Sequence, residues 1–130
     1  MAQILVIDDD RDFNAVITAF LKENGHNVSS AFQGAEGLKL FEQGHPDIVI
    51  SDIRMPKKDG LDLLLKFRNH PDHQPMGIIL MSGLSNSGNV AYQETLRTLG
   101  AYAFFQKPFS LNELANKVTE LLQGVESINN

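Results

Sequence analysis

Five short apolar runs, separated by longer amphipathic segments, constrain the fold of this chain more than any other feature. The runs occupy residues 4–7, 28–31, 48–50, 78–81 and 103–105. Runs this short are typical of strands, and successive apolar positions indicate strands that are buried on both faces. A segment with helical spacing of apolar residues follows each run. This strict alternation predicts a parallel sheet with helices on both of its faces.

The helical segments have recognisable faces and ends. In the first segment, one face carries Phe13, Val16, Ile17, Phe20 and Leu21. Asp10 or Asp12 is expected to cap or charge the first turn of that helix, and Ser110 with Glu113 predicts a capping box at the start of the last one. Four glycines stand where a left-handed residue would end a helix, namely Gly25, Gly44, Gly100 and Gly124. We predict one α/β domain over residues 1–123, with residues 124–130 as a tail or the start of a linker.

The composition of the chain argues against several classes of function. The chain has 130 residues, a formal net charge of −5 and no cysteine, which suits one domain and excludes a disulfide scaffold or a thiolate metal site. Lysine and arginine never cluster beyond two neighbours, so we expect no direct nucleic-acid binding and no membrane binding. The four histidines have no ligand spacing and are predicted to be solvated. With no secretory signal or membrane span in the sequence, we expect a cytoplasmic location.

Polar residues that can support phosphoryl chemistry follow four of the apolar runs. Asp8 and Asp9 follow the first run, Asp52 the third, Ser82 the fourth and Lys107 the fifth. In an open α/β sheet, the ligand site lies beyond the carboxyl ends of the strands. We therefore expect these side chains to meet at one edge of the sheet.

The carboxylates at this edge need a cation. Two unit negative charges about 4 Å apart repel by roughly 4 kcal/mol at an effective dielectric of about 20. Oxygen ligands without imidazole or thiolate favour Mg²⁺, which suits phosphoryl transfer. A hydroxyl (Ser82) and an ammonium (Lys107) are natural contacts for a phosphoryl group. These residues indicate a phosphoryl-acceptor site or a phosphatase site.

The same residues resemble the receiver (phosphoacceptor) domain of two-component response regulators. The resemblance extends from Ile4 to about Leu122 and rests on four motifs in order. They are ILVIDDD at residues 4–10, DIRMP at 52–56 with DG at 59–60, MSG at 81–83 and FFQKPF at 104–109. Each motif alone is weak, but the ordered set is specific.

The resemblance implies a flavodoxin-like fold of five strands and five helices with strand order 2-1-3-4-5. It also implies that Asp52 is the phosphoacceptor. Mg²⁺ would be bound by Asp9, Asp52 and the main-chain carbonyl of Arg54, with Asp8 acting through water. Lys107, in a peptide bond to Pro108 that is usually cis in the family, would pair with a phosphoryl oxygen.

By the same resemblance, Ser82 is the switch hydroxyl and Phe104 the switch aromatic. Phosphorylation would change the surface formed by the fourth helix, fifth strand and fifth helix. The donor would be a sensor histidine kinase or a phosphotransfer protein, and the output a downstream partner or a C-terminal output domain. The chain would catalyse only its own phosphorylation and dephosphorylation and would not be an enzyme in the usual sense.

The chain departs from the family pattern in several places. Ser82 replaces the commoner threonine, and Phe104 replaces the commoner tyrosine. Residues 84–89 form an extended Gly/Ser/Asn-rich stretch, predicted to be the least ordered internal segment.

Two alternatives remain open at this stage, and a third is set aside. A haloacid-dehalogenase-type phosphohydrolase would use Asp8 as nucleophile and Asp10 as general acid, but would leave Asp52 without a role. A receiver-like module could bind partners without being phosphorylated. A flavin-binding flavodoxin-like protein is disfavoured because the first loop is acidic instead of forming a phosphate cradle.

Overall fold

Strands and helices alternate in a computed structural model that describes residues 2–53, 60–83 and 90–129. The elements are β1 (Gln3–Ile7), α1 (Arg11–Glu23), β2 (Asn27–Ala31), α2 (Gly34–Gly44), β3 (Ile48–Asp52), α3 (Gly60–Arg68), β4 (Gly77–Ser82), α4 (Val90–Thr98), β5 (Ala103–Gln106) and α5 (Leu111–Asn129). The strands form one parallel sheet in the order β2-β1-β3-β4-β5. The fold class and strand order predicted from the sequence are confirmed.

Alternate residues of the central strands supply two core layers, one on each face of the sheet. On one face, Leu5 and Val49 pack with Phe41 of α2 and Phe67 of α3. On the other face, residues such as Val6 pack with side chains of α1 and α5, namely Ile17, Leu21, Leu114 and Val118. The central strands β1, β3 and β4 are covered on both sides, which explains why their runs are continuously apolar instead of alternating.

Two of the four predicted glycine helix ends are confirmed. Gly25 has a φ of 91° and Gly100 a φ of 119°, the left-handed region that glycine adopts without a steric penalty. The prediction for Gly44 is wrong by one residue. Gly44 is the last residue of α2, and the left-handed residue is His45, with a φ of 46°.

The prediction that Gly124 ends the last helix is also wrong. The α5 helix continues through Gly124 to Asn129. Glycine inside a helix costs only about 1 kcal/mol relative to alanine, so it weakens a helix without necessarily ending it. The division into a domain at 1–123 and a tail at 124–130 stays a prediction.

The described part of the chain holds no helix that is long and apolar enough to cross a bilayer. The predicted loop at residues 84–89 lies outside the described residues.

Candidate functional site

The sheet brings the predicted polar residues to one edge. Asp52 is the last residue of β3 and Ser82 the last residue of β4, so both strands extend further than the apolar runs predicted. The amide of Ile53 donates to the carbonyl of Met81 at 2.8 Å, and the amide of Lys107 donates to the carbonyl of Ser82 at 2.8 Å. These bonds hold the ends of β3, β4 and β5 side by side.

The ammonium of Lys107 bridges two carboxylates at this edge. Its Nζ atom donates to Asp8 Oδ2 at 2.7 Å and to Asp52 Oδ2 at 2.8 Å. Burial opposes the charged form of Lys107, but the hydrogen bonds to Asp52 and Asp8 outweigh it and raise the pKa of Lys107. The lysine is therefore a fixed positive charge between two acidic groups.

Asp8, Asp9 and Asp52 form the acidic cluster that the sequence predicted. Each offers a carboxylate oxygen, and these oxygens lie within 4.8 Å of one another. Asp8 and Asp52 are buried, whereas Asp9 is exposed. Burial raises the pKa of Asp8, with repulsion from Asp52 adding to it, against hydrogen bonds from Lys107 and the Asp10 amide. A close group of oxygen donors, in which one carboxylate resists ionisation, fits a hard divalent cation.

Asp10 has a different role. Its Oδ1 accepts a hydrogen bond from the amide of Phe13 at 3.0 Å, and its own amide donates to Asp8 Oδ1 at 2.9 Å. Asp10 is therefore the N-cap of α1, one of the two residues expected to serve that helix. One oxygen of its carboxylate is thereby engaged at the start of the helix.

The two proposed switch residues lie on adjacent strands. Ser82 is fully buried at the end of β4. Phe104 is half-buried on β5, paired in register with Leu80 of β4, and its ring meets the ring of Tyr92 edge-on at a centroid distance of 6.3 Å. The peptide bond between Lys107 and Pro108 is cis, as the resemblance implied. Arg54, predicted to offer a main-chain carbonyl to Mg²⁺, lies outside the described residues.

Two residues near the site were not singled out from the sequence. Asn14 is fully buried in α1, and its Nδ2 donates to the carbonyls of Asp8 at 3.1 Å and Ala31 at 2.9 Å. Phe13, assigned only to the apolar face of α1, has its ring centroid 4.4 Å from Lys107 Nζ. The spacing of Asn14 could have indicated its burial. It precedes the buried residues Ile17 and Leu21 by three and seven positions and therefore lies on the same face of α1.

Solvation of the histidines was predicted wrongly for three of the four. His26, His70 and His73 are half-buried and hydrogen-bonded, while His45 is exposed. His73 Nε2 lies 2.6 Å from the carbonyl of Pro46, and His70 Nε2 lies 3.3 Å from Glu42 Oε2. These contacts link the connection before β4 to α2 and to the residues between α2 and β3.

Comparison with known proteins identifies the family of the chain. The family model described as "Response regulator receiver domain" matches residues 4–119. This chain belongs to that receiver-domain family. The receiver domain is 36% identical over 121 residues to the response regulator MprA of Mycobacterium sp. (strain KMS), covering 93% of this chain and 50% of that protein. It is 35% identical over 121 residues to the regulatory protein AtoC of Escherichia coli (strain K12), covering 93% of this chain and 25% of AtoC.

Solved structures agree with the receiver fold. The Francisella response regulator 1452 receiver domain superposes with a TM-score of 0.85 at 29% identity, covering 96% of this chain and 99% of that one. A response regulator receiver domain protein from Clostridium thermocellum gives a TM-score of 0.85 at 26% identity, with 98% and 99% covered. The receiver domain spans about half the length of MprA and about a quarter of AtoC. Both of those relatives are named as regulators and not as enzymes.

Proposed function

We propose that this receiver domain accepts a phosphoryl group on Asp52 in a Mg²⁺-dependent reaction. The observation that carries the proposal is the placement of the Lys107 ammonium, 2.8 Å from Asp52 and 2.7 Å from Asp8, beside the acidic cluster. A lysine held between a nucleophilic carboxylate and its acidic neighbours can pair with the extra negative charge that a phosphoryl group brings. The donor is a sensor histidine kinase or a phosphotransfer protein, as the family membership implies.

The reaction transfers one phosphoryl group from a nitrogen atom of the donor's imidazole to a carboxylate oxygen of Asp52. An oxygen of Asp52 forms a bond to phosphorus while the bond from phosphorus to the donor nitrogen breaks. The electron pair leaves with the imidazole, which takes a proton from water, and Asp52 becomes an acyl phosphate. In the later hydrolysis, a water oxygen bonds to phosphorus and gives up a proton to solvent while the bond from phosphorus to the Asp52 oxygen breaks. The Asp52 carboxylate is restored and inorganic phosphate is released. The chain acts only on its own aspartate.

The acidic cluster supplies the proposed metal site. Asp8, Asp9 and Asp52 would hold Mg²⁺, and the main-chain carbonyl of Arg54 is the further ligand expected from the sequence. When bound, Mg²⁺ neutralises negative charge on the oxygens of the transferring group. Lys107 supplies a second positive charge that belongs to the chain itself.

Phosphorylation would change the surface formed by α4, β5 and α5, and the change would begin with a movement of Ser82. The side chain is buried at the end of β4, next to the strand that ends at Asp52. A phosphoryl group adds acceptor oxygens that can attract the hydroxyl. Movement of the end of β4 would change the packing of Phe104, whose ring contacts Tyr92 of α4, and thereby the surface of α4, β5 and α5.

Partners and location follow from the same proposal. The receiver would act in the cytoplasm, where it meets its phosphodonor, with no direct binding to nucleic acid or membrane. A downstream partner or a C-terminal output domain would read the changed surface. Residues 1–123 would form the receiver, and residues 124–130 would be a tail or begin a linker.

The test is a mass measurement on the intact protein after incubation with acetyl phosphate and Mg²⁺. We expect one added phosphoryl group on the wild type and none on Asp52→Asn or in the absence of Mg²⁺. Asp62→Asn is the matched control, because Asp62 is an exposed carboxylate in the first turn of α3. Equal labelling of Asp52→Asn and wild type would refute Asp52 as the acceptor. No labelling of the wild type would favour a module that only binds partners.

A further inference from the structure

The ammonium of Lys107 has a third neighbour besides its two carboxylates. An ammonium carries three N–H bonds, and Lys107 donates to Asp8 and Asp52. The ring of Phe13 lies over the same nitrogen, at 4.4 Å from ring centroid to Nζ. This distance is within the range in which an aromatic face attracts a cation.

The ring of Phe13 is itself held in place. Its side chain is half-buried and packs against the core layer shared by α1 and α5. The ring of Phe109 meets it at 90° with a centroid distance of 5.6 Å. At the backbone, the Phe13 amide donates to the N-cap Asp10. The aromatic face presented to Lys107 is therefore fixed by packing on one side and by the start of α1 on the other.

We propose that Phe13 is a positioning residue for phosphoryl transfer and acts through Lys107. Its ring face occupies the side of the ammonium that two carboxylates leave open, and so keeps the charge directed at Asp52. An alkyl side chain of similar size would fill the space without attracting the cation. This inference rests on the proposed function, because it concerns the rate at which Asp52 is phosphorylated.

The experiment measures the rate constant of phosphorylation by acetyl phosphate with saturating Mg²⁺, using intact mass. We expect Phe13→Leu to react about threefold to tenfold more slowly than the wild type, the range for loss of one partly desolvated cation–π contact. Phe13→Tyr keeps the ring face and should react within about twofold of the wild-type rate. Phe20→Leu is the matched control, because Phe20 lies on the same helix, is also half-buried and packs against the same core layer.

A second pair of variants separates positioning from a structural effect. In a Lys107→Met background there is no ammonium to hold, so adding Phe13→Leu should change the remaining rate by less than about twofold. An equal slowing in both backgrounds, or an equal slowing by Phe20→Leu, would overturn the inference. A wild-type rate in Phe13→Leu would also overturn it while leaving the proposed function intact. A wild type that takes up no phosphoryl group would refute the proposed function, and this inference with it.

Discussion

The Nζ atom of Lys107 lies 2.8 Å from Oδ2 of Asp52, although 55 residues separate them in the chain. The parallel sheet creates this contact, because β3 and β5 both end at the same edge and flank β4. Asp8, 99 residues from Lys107, reaches the same nitrogen from the end of β1. One cation thus links three strand ends and compensates two buried carboxylates.

Removing this cation should destabilise the protein in the absence of Mg²⁺. Lys107→Met keeps most of the unbranched side chain but leaves Asp8 and Asp52 without their shared partner. We expect the free energy of unfolding to fall by about 2 kcal/mol, below the range for fully buried pairs because Lys107 is partly exposed. Urea denaturation measures the change. Lys117→Met is the control: its pair with Glu120 is exposed, so its loss should cost less than about 0.5 kcal/mol. Equal effects of the two substitutions would refute the expectation.

Neutralising Asp8 should have the opposite effect on stability. Burial, with repulsion from Asp52, raises the pKa of Asp8 above 3.8 in the folded protein, so the fold favours its protonated form. Asp8→Asn mimics that form and should raise the free energy of unfolding by about 1 kcal/mol at pH 7 without Mg²⁺. Thermal unfolding with and without Mg²⁺ measures this, and the added stability from Mg²⁺ should shrink in the variant.

The pH dependence of the Asp8 effect has a definite sign. A folded-state pKa above the unfolded value means that the folded state holds the proton more tightly. Protonated Asp8 therefore contributes stability at low pH that is lost as the pH rises through its folded-state pKa. The advantage of Asp8→Asn over the wild type should grow from pH 4 towards pH 7. An advantage that shrinks over this range would refute the assignment.

Asn14 should be important for folding although it takes no part in the chemistry. Its Nδ2 satisfies the carbonyls of Asp8 and Ala31, and its Oδ1 accepts from Thr18 at 3.1 Å. Asn14→Leu would remove this donor from both carbonyl groups, although the carbonyl of Ala31 keeps its bond from the amide of Asp8. We expect a cost of about 2 kcal/mol. Thr18→Val removes only the hydroxyl contacts to Asn14 and Ser30, so about 1 kcal/mol is expected. Urea denaturation of the two variants tests this order, and a larger loss for Thr18→Val would contradict it.

His26 gives an independent pH prediction away from the site. Burial lowers the pKa of His26 below 6.5, and its Nδ1 accepts from the amide of Ala2 at 3.2 Å, which requires that nitrogen to be unprotonated. The unfolded chain therefore binds the proton more readily, and stability should fall as the pH drops below about 6.5. His26→Gln should weaken this dependence between pH 7.5 and pH 5.5. An identical pH profile for wild type and variant would refute the role of His26.

The α1 helix illustrates what the sequence could and could not predict. The spacing of Phe13, Ile17 and Leu21 identified the helix and its inner face. The same spacing included Val16, which is 51% exposed, and passed over Asn14, which is fully buried. Apolar periodicity cannot reveal a buried amide, because the partners that offset the cost of burying it are carbonyls at the ends of β1 and β2. Those partners become apparent only when the sheet is assembled.

The placement of the site residues could be predicted from the sequence more completely than the packing of α1, for a physical reason. The carboxyl ends of parallel strands share an edge, so polar residues after separate apolar runs could be assigned to one place. The contact between Phe13 and Lys107 could not be inferred in this way. It depends on where the α1 helix begins relative to β5, which the apolar pattern leaves undetermined. Helix ends were also uncertain, as His45 and Gly124 illustrate.

The most direct measurement asks which carboxylate carries the phosphoryl group. Borohydride reduces an acyl phosphate to an alcohol, so a phosphorylated aspartate is recovered as homoserine in a peptide sequenced by mass spectrometry. After reaction with acetyl phosphate and Mg²⁺, we expect homoserine at position 52 alone. Homoserine at position 8 instead would refute the receiver mechanism for this chain and favour a phosphohydrolase that uses Asp8 as its nucleophile.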